Sequence, residues 1–163
     1  VLHATAGSTS KSSIDHLRGI GLSYHYIIPR DDRDSAKYES SNGSSPFVWH
    51  CVPNNKHAFH VGSTIPPPKG SGSINKNSIG ISLANIQRVK SPEPYPKAQL
   101  AVLDELIAKL MSDVPELEFL TAHAVVQPWN RADPSSVDWP AIAKRAGLKF
   151  WKPTKQQVDE HKP

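Results

Sequence analysis

The chain has a single cysteine, Cys51, among its 163 residues. No intramolecular disulfide can form, and a four-cysteine zinc site is excluded. A chain without disulfides can work in a reducing or an oxidising space, so the compartment stays open on this count. Long apolar runs are missing as well, and no stretch approaches the ~20 residues needed to span a bilayer. The opening VLHATAGSTS lacks the basic start and apolar core of a signal peptide. It begins abruptly on what reads as a strand, and we expect residues to precede Val1. Charge of one sign is scarce too. Nineteen Lys and Arg stand against 15 Asp and Glu, a formal charge of +4. The basic residues are scattered rather than gathered in a stripe, which argues against a nucleic-acid partner.

What is present fits one ordinary domain, residues 1–163, large enough to bury a core without a staple. VLHAT reads as a short strand entering a Gly-Ser loop. SSIDHLRGIG reads as a short helix, ended with help from Gly19 and Gly21. LSYHYIIP, FVWHCVP and SIGISLAN have the β-branched, aromatic or alternating character of strands. Residues 30–46 and 63–77 are rich in Ser, Gly or Pro and read as surface loops. The clearest helix is PKAQLAVLDELIAKLMSDV, where Leu100, Leu103, Ile107 and Leu110 form an apolar stripe. EFLTAHAV reads as a last strand, and DWPAIAKRAG as a helix closed by Gly147. Helices and strands interleave around one sheet, which predicts an α/β domain.

Eight histidines need sorting. His16 and His161 lie in polar helix or tail sequence and read as solvated. His50 and His57 have no obvious partner by spacing. His3 and His123 each stand at the end of a short apolar strand beside small residues, where a ligand is held rigidly with room next to it. Asp133 follows His123 by ten residues. Two imidazoles and a carboxylate are a common zinc set, with a fourth position free for water. Spacing alone does not single these three out. Cys51, inside an apolar strand pattern, reads as an inert buried thiol rather than a nucleophile paired with His50 or His60.

Five pieces in order, VLHATAG, SYHYIIPRDD, VWHCVPNNKHAFHVG, NKNSIGISLAN and TAHAVVQPWNRADP followed by DW, supply the context. Together they resemble the zinc-dependent N-acetylmuramoyl-L-alanine amidase family, which includes peptidoglycan-recognition proteins and bacteriophage amidase-lysozymes. The resemblance implies a central mixed β-sheet flanked by helices. It also implies one Zn2+ held by His3, His123 and Asp133, and hydrolysis of the amide between N-acetylmuramic acid and L-alanine.

Tyr24 matches the tyrosine found beside the metal in the phage and recognition-protein branches. Arg131 stands where many members carry a catalytic lysine. A guanidinium stays charged, so it suits an electrostatic stabiliser and not a proton shuttle. Ser82 replaces a glutamate that serves as general base in other branches. His60 matches a pocket histidine and Asn77 heads a strand near the groove. Both are candidate substrate-binding residues, with loop capping the more ordinary role for Asn77. Asp138 and Trp139 match the segment after the ligand and read as packing. The expected partners are peptidoglycan or its muropeptides, acted on at the bacterial cell wall by a monomer. Two rivals remain at this point, a peptidoglycan-binding module without catalysis and a zinc amidase acting on another amide.

Overall fold

The computed structural model describes residues 1–31, 34, 48–87, 91 and 93–163. Most of the Ser-rich excursion at 30–46 therefore lies outside the described residues. Three short parallel strands make the centre: β1 (Leu2–Ala4), β4 (Ile81–Leu83) and β2 (Tyr26–Ile28), with β4 in the middle. β3 (Trp49–His50) adds antiparallel to β2. The sheet is mixed, as expected.

Beyond β1 the chain continues the surface with a second, parallel pair, β5 (Phe119–Leu120) and β6 (Lys149–Phe150). The Leu2 amide donates to the Thr121 carbonyl at 2.9 Å, and Leu2 pairs with Ala122. That contact joins the two strand groups.

Strand alternation decides what faces what. Leu2, Tyr26, Ile28, Ile81 and Leu83 share one buried cluster with Leu103, Leu106, Ile107 and Leu110 of α2 (Lys97–Asp113). The stripe read in the sequence is the face that covers the sheet. Each such leucine or isoleucine contributes roughly 1.5–3 kcal/mol by leaving water. Ile142 and Ala143 of α4 (Trp139–Ala146) extend the same core. Asp138 caps α4 by accepting from the Ala141 amide at 3.0 Å, and Gly147 closes it at φ 73°, where a Cβ is unwelcome. On the opposite side of β1 and β4 lie His3 and Ser82, which face each other across the register.

α1 (Ser10–Gly19) is capped by Thr9, whose hydroxyl accepts from the Ser12 amide at 3.1 Å. The loop 63–77 is irregular apart from a 3-10 turn at Ile74–Lys76. Gln99, buried at the start of α2, donates to the carbonyls of both Ile28 and Ala84 at 3.1 Å, tying the helix to the ends of β2 and β4.

Three expectations need correction. The segment EFLTAHAV is a strand only at Phe119–Leu120, because His123–Val126 turns into the short helix α3. It is not the last strand, since β6 follows, and a terminal helix α5 (Lys155–His161) closes the chain. Cys51 is exposed, because β3 is only two residues long and stops before it.

Candidate metal centre and substrate cleft

His3, His123 and Asp133 come from three separate segments and meet. β1 carries His3 on the sheet face away from α2. Pairing of Leu2 with Ala122 places the first residue of α3, His123, beside it. The imidazole rings of His3 and His123 are 4.5 Å apart between centroids. Asp133 is held from both sides: its Oδ2 accepts from the Ala4 amide at 3.2 Å, and its carbonyl accepts from the Ala124 amide at 2.8 Å. Its carboxylate lies 3.2 Å from His123 Nδ1 and 3.7 Å from His3 Nδ1. One ligand atom from each residue falls within 4.8 Å of the others.

The donor set fits a metal ion. His3 Nδ1 is buried and has no hydrogen-bond partner, which is costly for a polar atom unless something else engages it. Burial pushes the His3 imidazole well below its usual pKa, with His123 adding to the effect, so the ring is neutral at physiological pH. Neutral imidazole is the form that ligates. Two nitrogens and one carboxylate oxygen suit zinc and leave a coordination position open.

Around this centre, His60 stands behind His3, with His60 Nδ1 and His3 Nε2 2.9 Å apart. Desolvation also holds His60 well below the usual imidazole range. Tyr24 packs its ring 4.8 Å from His3, between centroids. Burial and the Asp133 charge push the Tyr24 phenol up to about 12, so it stays protonated. The Ser82 hydroxyl adjoins Tyr24 closely enough to oppose that rise slightly, yet it makes no hydrogen bond of normal geometry. Arg131 sits exposed on the rim, with Nη1 donating to the Asn130 carbonyl at 3.1 Å.

These groups line a cleft of about 700 Å³ that includes Tyr24, His60, His123, Arg131 and Asp133. Leu17, Leu22 and Phe59 form an apolar stretch of its wall. The structure therefore brings together every site residue named from the sequence except Asn77. That amide donates to the Ser71 and Ser73 carbonyls at 2.7 and 2.9 Å. Asn77 closes its own loop and lines a separate apolar cavity of about 350 Å³.

Sequence reasoning missed Gln127, whose Oε1 lies 3.3 Å from His123 Nε2 and accepts from the Gly62 amide at 3.0 Å. Its signal was the i, i+4 spacing from His123, visible only if that segment is read as helical. Asn75 was missed too. It accepts from the His60 and Val61 amides and donates to the Val61 carbonyl, fixing the backbone that carries His60.

An α/β sheet with two imidazoles and a carboxylate converging at the floor of an open cleft offers the donor set that metal-dependent hydrolases use. The sequence model of the N-acetylmuramoyl-L-alanine amidase family matches residues 1–136, and the chain belongs to that family. No curated protein matches the chain. Among solved structures, it is similar to the N-acetylmuramyl-L-alanine amidase AmiD from E. coli in complex with the substrate anhydro-N-acetylmuramic acid-L-Ala-D-γ-Glu-L-Lys. The TM-score is 0.71 and the identity 27%, over 98% of this chain and 60% of that one. AmpDH3 from Pseudomonas aeruginosa shares the fold, with a TM-score of 0.73 at 22% identity over 98% of this chain and 62% of that one. The chain thus spans about three fifths of the length of these two structures.

Proposed function

We propose that this chain hydrolyses the amide between the lactyl group of N-acetylmuramic acid and L-alanine, in peptidoglycan or its fragments, with zinc held by His3, His123 and Asp133. The observation that carries this reading is the meeting of three acceptor atoms, one of them buried and unpartnered, at the floor of an open cleft in a chain of the amidase family. The substrate class is supported by AmiD, whose structure holds a muramyl peptide.

A zinc ion held by His3, His123 and Asp133 would supply an activated water near neutral pH and a Lewis acid for the scissile carbonyl. The chain's own residues do the rest. Tyr24 keeps its proton and donates a hydrogen bond to the oxygen on which negative charge develops. Arg131 adds fixed positive charge on the cleft side of Asp133. Among the described residues of the cleft, Asp133 is the only carboxylate. Its oxygens face both histidines, as a ligand's would, so the proton that leaves the attacking water reaches the leaving amine by way of cleft water. Asn75 holds the 60–61 backbone from which His60 backs His3.

The test is zinc content together with digestion of purified muropeptides, with and without a chelator, read by mass spectrometry. We expect about one zinc per chain and products with a free alanine amino terminus and an intact lactyl carboxylate. His123→Ala should lose both metal and cleavage. Full zinc occupancy and activity in that variant would refute the assignment. Muropeptide binding by the zinc-loaded parent without cleavage would instead mark a binding module.

A further inference from the structure

The hydrogen bonds behind the two histidines run in only one direction. We propose that Ser78, through His60, and Gln127, anchored by Gly62, are positioning residues that hold the Nε2 proton of both histidines and so reserve Nδ1 for the metal. The inference rests on the metal reading above and says how this chain prepares the site for it.

One chain starts at the Ile74 carbonyl, which can only accept. The Ser78 hydroxyl lies 2.7 Å from it and donates to it. The Ser78 oxygen is then left to accept from His60 Nε2, 3.3 Å away, so the proton of the neutral His60 ring sits on Nε2. His60 Nδ1 is therefore an acceptor, and the 2.9 Å contact with His3 is filled by a proton on His3 Nε2. His3 Nδ1 is left bare. It is the buried atom without a partner, and it faces Asp133 Oδ2 at 3.7 Å.

The second chain starts at a group that can only donate. The Gly62 amide points at Gln127 Oε1 from 3.0 Å, and Gln127 Nε2 donates to Asn130 Oδ1 at 2.8 Å, so the side-chain amide has one orientation. Its oxygen faces His123 Nε2 at 3.3 Å and places the proton there. His123 Nδ1, the ring's other nitrogen, lies within hydrogen-bond distance of Asp133 Oδ2 at 3.2 Å. Nδ1 of both rings thus faces Asp133, while both Nε2 atoms are taken up by the partners behind them.

The backbone makes room for the first chain. A Cβ on Gly80 would come within 2.8 Å of the His60 ring, and only glycine lets the ring lie against the start of β4. Outer partners of ligating histidines typically govern 10–100-fold in metal affinity.

The experiment compares the parent with Ser78→Ala, Gln127→Leu and Gln127→Glu, each stripped of metal and checked for an unchanged melting temperature. Imidazole tautomers are read by long-range 15N–1H NMR, and zinc affinity by competition with a chromophoric chelator. We expect Nε2-protonated His3, His60 and His123 in the metal-free parent. Ser78→Ala and Gln127→Leu should mix the tautomers and lose about 10–100-fold in zinc affinity. Gln127→Glu keeps an acceptor and should bind within a fewfold of the parent. An unprotonated Nε2 on His3 or His123 in the parent overturns the proposal, as do parent-like tautomers and affinity in both disrupted variants. Failure of the parent to bind zinc, with its tautomers as expected, would overturn the metal reading and leave the lock standing. Should Ser78→Ala unfold, the Gln127 pair alone decides.

Discussion

Replacing Tyr24 by phenylalanine removes one oxygen and keeps the ring that packs 4.8 Å from His3. The phenol makes no hydrogen bond of normal geometry to Ser82, whose hydroxyl has no partner. Little folding energy is therefore at stake below pH 10. At the site, however, the phenol is a protonated donor beside His3 and near Asp133. Loss of one such donor to a developing oxyanion costs about 10²–10³ in turnover, or roughly 3–4 kcal/mol of barrier. Turnover on muropeptides at matched zinc content is the assay, with a thermal melt alongside.

The pH dependence gives a second readout. The folded value of about 12 lies above the ordinary 10.0, so the unfolded chain releases this proton first. The associated stability is fully present below pH 10 and is lost as pH rises from 10 towards 12. The parent should melt progressively lower over that window, and Tyr24→Phe should show a shallower fall. A Tyr24→Phe enzyme as fast as the parent would reduce the tyrosine to packing and remove it from the mechanism.

Other perturbations probe the rim, the core and the tie between helix and sheet. Arg131→Ala should lower turnover about 10–100-fold, the worth of a charge-assisted hydrogen bond, while Arg131→Lys keeps most activity; equal rates for all three proteins would place Arg131 outside the chemistry. Leu103→Ala removes a wholly buried side chain from α2 and should cost about 2–5 kcal/mol in denaturant unfolding, with activity per folded molecule unchanged. Gln99→Leu keeps volume but strips the Ala84 carbonyl of its side-chain donor, whereas Ile28 still receives the Ala84 amide at 2.9 Å. A loss of about 1–3 kcal/mol is expected, and an unchanged chevron midpoint would show that water replaces the amide.

Reading the sequence went furthest where one physical signal dominated. The apolar period of α2 marked a helix against a sheet, and the stop of α4 was written locally in Gly147, whereas Asp138, read as packing, is an exposed cap. His123 was harder. TAHAVV looks like strand, and it turns helical because the Ala124 amide is drawn to the carbonyl of Asp133, a contact set by the returning loop. β6 consists of Lys149 and Phe150, too short for alternation to show, and exists by pairing with β5. α5 did leave a local mark, the capping box of Thr154 and Gln157. The ligand triad became visible through family resemblance rather than spacing. The groups behind it, Ser78 and Gln127, depend on contacts that no local pattern encodes.

The bond from the Ala4 amide to Asp133 spans 129 residues of chain. Bringing such distant segments together costs loop entropy that only a nearly complete sheet can offset. The Ala4 contact and the Leu2 contact with Thr121 are expected to form after the middle of the chain, with α2, has packed. If His3, His123 and Asp133 hold zinc as proposed, the centre should be completed late on the folding route. Zinc uptake after refolding should lag behind the helix signal, making the ion a reporter of finished assembly and not its seed.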